Sequence, residues 1–510
     1  MKVLIIGAGP VGLTCAHLLG ALKIPCTILE RQNKLTAHPS AHFLHSRSME
    51  VYESLGLADK IYSQVPPLNH WRSFIYASSI LGKSYRVHDH FSSQPYKKNQ
   101  LLSPCQPTHF PQHKLVQLLH EFLPSTAEVL LSKEFSDLSF NNGVTVKTLD
   151  GKTYQGDYLI ACDGANSKVR SYLNIPLESS EVLQSFLNIH FISKKLGQIA
   201  LSNPAMIYFI YNPEALVVIV MHNAQEGEFV MQVPFYPPLT NPSDYSQSEI
   251  KDLVEKCAGG GEKVEDIEIK SMKMWKMTSR HATKLKHEKV FLAGDSAHSL
   301  TPAGGFGLNT GICDAHNLCW KFNFPSLLDS YSQERVPRIQ QIINKSYNNY
   351  TQTVKIAQNF GLDISYAKAF ESISSKLPFG STFFKYGLRL GQKFLLNDSK
   401  AVEYLKNDDN LLNLIFPEED LQFKYPSGFF QNGGELAPNS QVDYKGQSHN
   451  LRLLPGKITQ DSHKAVFIKV IGKDALPKFD YPTEEVKSSD DFSYILRPDG
   501  HVYWSSRNNK

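Results

Sequence analysis

The chain opens on four consecutive apolar residues, Val3-Leu4-Ile5-Ile6, the pattern of a strand buried on both faces. Gly12 to Leu22 is small and apolar, as a helix packed closely on a sheet must be, and Cys26-Thr27-Ile28-Leu29 predicts a second strand. A polar stretch from Arg31 to Arg47 leads into a predicted helix from Ser48 to Leu55. Trp71 to His90 favours strands, and Leu115, Leu118, Leu119 and Phe122 share one face of a helix over 112–122. Val144-Thr145-Val146 and Tyr154 flank Asp150-Gly151, a hairpin signal, and Asp157 to Cys162 is a further apolar strand. From Val182 to about Pro237 the period changes to alternation, in Phe186–Ile192, Leu216–Met221 and Phe229–Phe235. The α/β pattern returns at Val290-Phe291-Leu292-Ala293, and helices are expected from Ala315 to about Leu405. Strands at Ala465–Val470 and Phe492–Leu496, with Pro498-Asp499-Gly500 turning into His501–Trp504, predict a last α/β unit.

At 510 residues the chain exceeds one ordinary core, so two or three packed units are expected. A net charge of +4 over this length points to no nucleic-acid-binding tract. The seven cysteines form no CxxC pair and no zinc pattern, which is the usage of reduced, mostly buried thiols. No apolar run reaches bilayer length; Ala215 to Met221 is strand-sized. The first strand starts at Lys2, which leaves no room for a signal peptide, so a cytoplasmic protein is expected. His88-Asp89-His90 lacks a third ligand and is read as a solvated strand end, so no metal is expected.

Three segments carry chemistry. Gly7-Ala8-Gly9-Pro10-Val11-Gly12 sits between a strand and a helix, where glycines let the backbone turn sharply and approach a pyrophosphate. Glu30 ends the second strand, placed to accept hydrogen bonds from a ribose diol. This pattern alone does not choose between FAD and NAD. The second segment, Cys162-Asp163-Gly164-Ala165, follows a strand and by itself is an ordinary turn. The third runs from Gly294-Asp295-Ser296-Ala297-His298 to Pro302-Ala303-Gly304-Gly305-Phe306-Gly307-Leu308-Asn309, also after an apolar strand. Its glycines let main chain run along a flat ligand, and Asn309 is expected to cap the helix through Asp314 to Trp320.

Together these segments resemble the three fingerprints of group A flavoprotein monooxygenases, the para-hydroxybenzoate hydroxylase family. Tyr331 to Pro337 resembles the family's following helix. His38 to Phe43 with Arg47 to Glu50, and the tail Tyr494–Trp504, are most similar to the polyketide and phenol hydroxylase branch. The resemblance implies an α/β (α+β overall) fold: a Rossmann-like FAD-binding domain (1–70, 106–178, 281–345) interrupted by a mixed-sheet substrate domain (71–105, 179–280). A helical connecting region (346–415) and a thioredoxin-like C-terminal domain (416–510) would follow. That last module has no cysteine after Cys319, so disulfide exchange is excluded and a structural or associative role remains.

Carried onto this chain, the resemblance assigns FAD to Gly7, Gly9, Pro10, Val11, Gly12, Glu30, Gln112, Asp163, Gly294, Asp295, Pro302, Gly305, Gly307, Leu308 and Asn309. Where the family often has a phosphate-contacting arginine this chain has Ser40, so either Arg31 or Arg47 takes that work or the cofactor is held less tightly. No side-chain nucleophile is needed, and Pro302 is expected beside the reacting ring, with an ordinary turn proline as the alternative. Tyr208, Tyr211, His222 and Tyr236 are candidate substrate-pocket residues, although aromatic residues in such strands are usually core. The implied reaction is hydroxylation of a phenolic or polyketide-like aromatic. NADPH or NADH reduces the flavin, which reacts with O2 at C4a, and the resulting hydroperoxide delivers one oxygen atom. A flavin oxidase, dehydrogenase or epoxidase, and a non-catalytic FAD-binding regulator, are the alternatives, and a homodimer is left open.

Overall fold

The computed structural model describes residues 1–179, 182–235, 245–361, 372–374, 398–488 and 491–509. The apolar runs gather in one six-stranded sheet, in the order Lys286–His287, Val290–Leu292, Tyr158–Ala161, Val3–Ile6, Cys26–Leu29 and Ala127–Leu130. All neighbours run parallel except the edge strand Lys286–His287. Val3, Leu4, Ile5, Ile28, Leu159 and Ile160 are wholly buried, which explains why these strands read as unbroken apolar runs. Helices Pro10–Ala21, Gln112–Glu121 and Phe306–Cys319 share this core, with Phe135, Leu138, Val144 and Val146 of a small antiparallel sheet. The expected hairpin is the pair Val144–Thr148 and Thr153–Gly156. The helix expected from Ser48 starts at Ser46, because buried polar residues Ser46 and Arg47 open it and no apolar period marks them.

The alternating segments form a seven-stranded sheet: Glu268–Met277, Gln184–Ile192, Glu228–Phe235, Ala215–Asn223, Ile207–Asn212, Ser73–Ala77 and Ser84–Asp89. Along Ala215–Asn223, Val217, Ile219 and Met221 enter one core, while Leu216 and Val218 pack in a separate aromatic cluster on the opposite face. Helix Gln247–Ala258 covers the first face. Its start is set by a capping box between Ser246 and Glu249, and it ends at Gly259, whose φ of 74° is costly for other residues. Ile250 and Val254 are fully buried there, each worth roughly 1.5–3 kcal/mol. The opposite face meets the first unit through Phe43 and Ala303, which join Phe74, Tyr76, Phe209 and Tyr211 in one cluster. His88 and His90 correct the expectation of a solvated strand end. Both are buried, and the His90 ring lies 4.2 Å from that of Phe74.

The last unit is a mixed sheet in which only Phe467–Ile471 and Thr483–Lys487 run parallel. It has its own core around Leu454, Ile468 and Leu496, and docks on the first core through Phe467, Ile495 and Trp504. No helix among the described residues is long and apolar enough to cross a membrane.

Candidate functional site

Close backbone approaches bring the three segments together. A Cβ on Gly7, whose φ is 104°, would lie 2.4 Å from the Cys162 carbonyl oxygen, so this glycine lets the first turn sit directly against the second. Val11 occupies the gap between Gly294 and Gly311, where a Cβ on either would meet its Cγ2 at 2.9 or 2.6 Å. The helix after the first loop is thereby locked to the start of the third segment. The space before Gly9 and Gly307 is open, with no atom within 4 Å of a built Cβ.

The chemistry around this junction suits a dinucleotide. Helix Pro10–Ala21 has Pro10 in its first turn and no side-chain cap, so its positive end faces outward. Glu30 accepts from the Ala8 N–H at 2.8 Å and the Gln32 N–H at 2.9 Å, which fixes its carboxylate beside the loop with lone pairs to spare. Asp163 accepts from Val169 N–H through Oδ2, while its buried Oδ1 has no partner. Burial raises this carboxyl above its ordinary value, against the hydrogen bonds from Ser167 and Val169. An orphaned acceptor at this point calls for a donor from outside the chain. Asp295 is exposed to solvent, and desolvation by the surrounding protein raises its carboxyl.

In the third segment, helix Phe306–Cys319 begins at Gly305, in the left-handed conformation, with no side-chain cap. Asn309 therefore lies inside the helix and is not its cap. Its side chain is a four-way clip instead. Oδ1 accepts from His45 N–H at 2.8 Å and Ser48 Oγ at 2.7 Å, and Nδ2 donates to the carbonyls of Phe43 at 2.9 Å and Gly305 at 2.7 Å. The first turn, including buried Leu308, is left with free N–H groups and a positive end suited to developing negative charge. Pro302 is exposed, and its carbonyl accepts from Gly305 N–H at 3.0 Å. Gln112 exchanges hydrogen bonds with Ala41, donating from its backbone at 2.8 Å and accepting through Oε1 at 3.2 Å, so it steadies the segment before Phe43.

Arg31 is exposed, whereas Arg47 is buried. Its guanidinium binds Glu50 at 2.7 Å and the Asp499 carbonyl at 2.6 Å, because burial demands a carboxylate partner and the last unit supplies further acceptors. Tyr208 is a core residue, its hydroxyl donating to Asn203 O at 2.8 Å, and Tyr211 is stacked 4.2 Å from the Phe360 ring. His222 is buried with both ring nitrogens unpartnered and stacks at 5.8 Å on His109. Tyr236 lies outside the described residues. The half-buried residues of the sheet face are others: Asn188, Val218 and Gln232, with Phe186 stacked 5.8 Å from Trp275. Strand alternation was the available signal for that face, since Leu216 and Val218 share it with each other and not with Val217.

Asp314 and its partner Arg335 position the third segment without a local sequence signal. Asp314 accepts from Gly294 N–H at 3.0 Å and from Arg335 Nε at 2.7 Å, and pairs with His298 at 2.7 Å. Burial opposes its charge, but Arg335 and His298 prevail and hold it below the usual carboxylate range. The helix is thereby tied to the loop ahead of it.

The fold and these groups define a dinucleotide-binding α/β protein with a second sheet set over the crevice. More closely, the chain belongs to the FAD binding domain family, matched over residues 1–346. Among curated relatives, 2,4-dichlorophenol 6-monooxygenase of Delftia acidovorans is 26% identical over 68% of this chain and 63% of its own length. Tetracenomycin A2 monooxygenase-dioxygenase of Streptomyces glaucescens is 26% identical over 69% of this chain and 68% of its own. The chain spans about 63% of the length of several such relatives. Among solved structures, the flavin-dependent monooxygenase PieE, in complex with FAD and substrate, superposes with a TM-score of 0.79 at 21% identity, over 100% of this chain and 96% of that one. Aklavinone-11 hydroxylase, with FAD and aklavinone, gives 0.74 at 18% identity, over 99% and 95%. The fold is that of these FAD-dependent enzymes.

The open space at two glycines gives a direct test of the site. Gly9→Leu and Gly307→Leu should leave the melting temperature of the flavin-free protein within a degree or two, yet weaken FAD binding at least ten-fold, about 1.4 kcal/mol. Isothermal titration with FAD reads both. Undiminished affinity in the two variants would place the cofactor elsewhere.

Proposed function

We propose that the chain binds FAD in this crevice and works with NADPH or NADH and O2 as a monooxygenase that hydroxylates a phenolic or polyketide-like aromatic. The observation that carries the reading is the convergence of the Gly7 loop, orphaned Asp163 and the uncapped Phe306–Cys319 helix. The activities named for the family relatives support it. In this reading Glu30 holds the ribose, the helix at Pro10 faces the pyrophosphate, and Asp163 and Asp295 accept hydrogen bonds from the cofactor's hydroxyls. FAD, when bound and reduced, supplies the activation of dioxygen and the insertion of one oxygen atom into the ring.

The chain's own contribution is placement. Asn309 and Asp314 hold the helix start where its N–H groups stabilise negative charge beside the ring system. The sheet face bearing Phe186 and Trp275 offers flat apolar surface to an aromatic substrate, and Asn188 Oδ1, buried without a partner, offers an acceptor to its hydroxyl. Burial beneath the sheet excludes water. Seven free thiols support a reducing, cytoplasmic setting.

The purified protein should be yellow and should consume NADPH or NADH faster when a suitable phenol is added, with label from 18O2 appearing in the product. Peroxide formation indifferent to substrate would favour an oxidase. A bound flavin that neither nicotinamide reduces, with any phenol, would favour a non-catalytic role.

A further inference from the structure

The flavin-side glycine loop is held from an unexpected direction. His45 Nε2 lies 3.0 Å from the carbonyl oxygen of Gly304, a residue at φ 104° in the turn before helix Phe306–Cys319. A carbonyl only accepts, so Nε2 carries the proton and Nδ1 presents a lone pair. That lone pair lies 3.9 Å from Asp420 Oδ1, beyond hydrogen-bond distance, and a carboxyl rotation toward the ring would close the gap. Asp420 ends the short helix Pro417–Asp420, far along the chain, and its Oδ2 accepts from Arg47 N–H at 3.2 Å. The same segment makes a second contact with the loop's helix: Phe416 packs 4.9 Å from the ring of Phe306, the first helical residue, and His45 meets that ring at 5.4 Å. Arg338 donates to the Glu419 carbonyl and Lys345 pairs with Glu419 at 2.9 Å, so the segment is braced from the long helix Ser330–Asn359 as well.

We propose that Asp420 is a positioning residue of the flavin site, acting through His45 on the Gly304 carbonyl, so that the segment leading into the last unit completes the loop on which FAD rests. The proposal rests on the FAD reading above. It requires the carboxylic acid form, because only the acid can donate to Nδ1; a carboxylate there would set two lone pairs against each other. The surroundings supply that form. Burial pushes the Asp420 carboxyl up to about 7, Glu50 adds to the rise, and Arg47 and Arg452 oppose it, with the raised Cys313 thiol also alongside. Burial lowers the His45 imidazole to about 4, so the ring stays neutral near pH 7. Above that pH Asp420 loses its proton, the brace on His45 is released, and the loop's hold on FAD slackens.

The test measures FAD dissociation constants by fluorescence quenching between pH 5.5 and 8.5 for the full chain, D420N and D420A. The native protein should bind about five-fold more weakly above the transition than below it, the net worth of one hydrogen bond. In D420N the amide N–H donates at every pH, so affinity should stay at the native low-pH value with a flat profile. D420A should be flat at the weak, high-pH value. A merely structural aspartate would shift affinity without removing the pH profile. If D420N, the isosteric variant, keeps the native profile, the coupling is overturned even where D420A fails to fold. A native chain that takes up no FAD at any pH overturns the flavin reading itself, and this proposal with it; native FAD binding with unaltered variants overturns the Asp420 coupling alone.

Discussion

Glu334→Ala should lower the unfolding free energy of the flavin-free protein by about 3–5 kcal/mol, the usual cost of stripping the partner from a buried charge. Glu334 is wholly buried. It receives Arg497 at 3.0 and 2.9 Å, Lys321 at 3.0 Å, Asn317 Nδ2 at 2.6 Å and the Phe429 N–H at 2.9 Å. Burial works to raise its carboxyl, but Arg497 and Lys321 prevail and hold it at about 2. Burial lowers the Lys321 ammonium to about 8 despite Glu334's pull, so the lysine depends on this partner to stay charged. Asp499 keeps Arg497 partly paired in the variant, at 2.6 Å, whereas Lys321 keeps the neutral Asn317 side chain and the Trp320 ring but no carboxylate within hydrogen-bond distance. Since Arg497 belongs to the last unit and Glu334 to the long helix, the loss falls on the junction between units. Urea denaturation followed by tryptophan fluorescence checks this; a midpoint unchanged from the native protein would show the junction is held by apolar packing alone.

Acid should be nearly as damaging. His38, His45, His109 and His501 are lowered to about 4 and His316 to about 3, while His42, His90 and His222 lie well below their ordinary value. Burial is the largest cause in each. These imidazoles are neutral in the fold and take up protons near pH 6.5 once unfolded. Protons then favour the unfolded chain, so stability is complete above about pH 6.5 and falls as pH drops towards 4. Asp163 and Asp420 run the opposite way, their raised carboxyls gaining stability as pH falls, but the lowered histidines outnumber them. His42, His109 and His222 sit with ring centres 5.1–5.8 Å apart, so charging one opposes charging the next. Each ten-fold rise in proton concentration below pH 6.5 costs the fold roughly 1.4 kcal/mol for every histidine it keeps neutral, so even two of them remove several kcal/mol by pH 4.5. The melting temperature should therefore fall steeply between pH 6.5 and 4.5. A curve flat across that window would mean the histidines are wetter than their burial indicates.

Much of the candidate site was legible because its logic is local. A glycine loop between an apolar strand and a small-residue helix is specified within Val3 to Leu22, and Glu30 follows at the end of the next strand. The third segment is equally local, since the turn at Gly304 and Gly305 needs positive φ wherever the rest of the chain lies. Even there one detail was misplaced. Asn309 is a residue type suited to a helix cap, but the left-handed Gly305 starts the helix earlier and leaves Asn309 to clip distant strands.

The residues that the structure places differently from expectation are ones whose surroundings depend on long-range partners. Arg47 reads as a free cation in a polar stretch, and only tertiary packing brings Glu50 and the Asp499 carbonyl to it. Tyr208 and Tyr211 are suitable pocket residues by type, but their strand's register turns Tyr208 toward Ala200 and Asn203 and Tyr211 onto Phe360. The buried histidines around His222 are scattered from His38 to His222 and have no common spacing. By itself, then, the sequence determined the strand and helix types and the glycine turns, because backbone conformation and apolar periodicity are set by near neighbours, while the class of cofactor came from the resemblance of three separated segments to a family. Tertiary structure alone decided which charges are paired, which faces line the cleft, and that Asp420 stands behind His45 and the Gly304 carbonyl. Those depend on desolvation and contact between segments that the chain order leaves far apart.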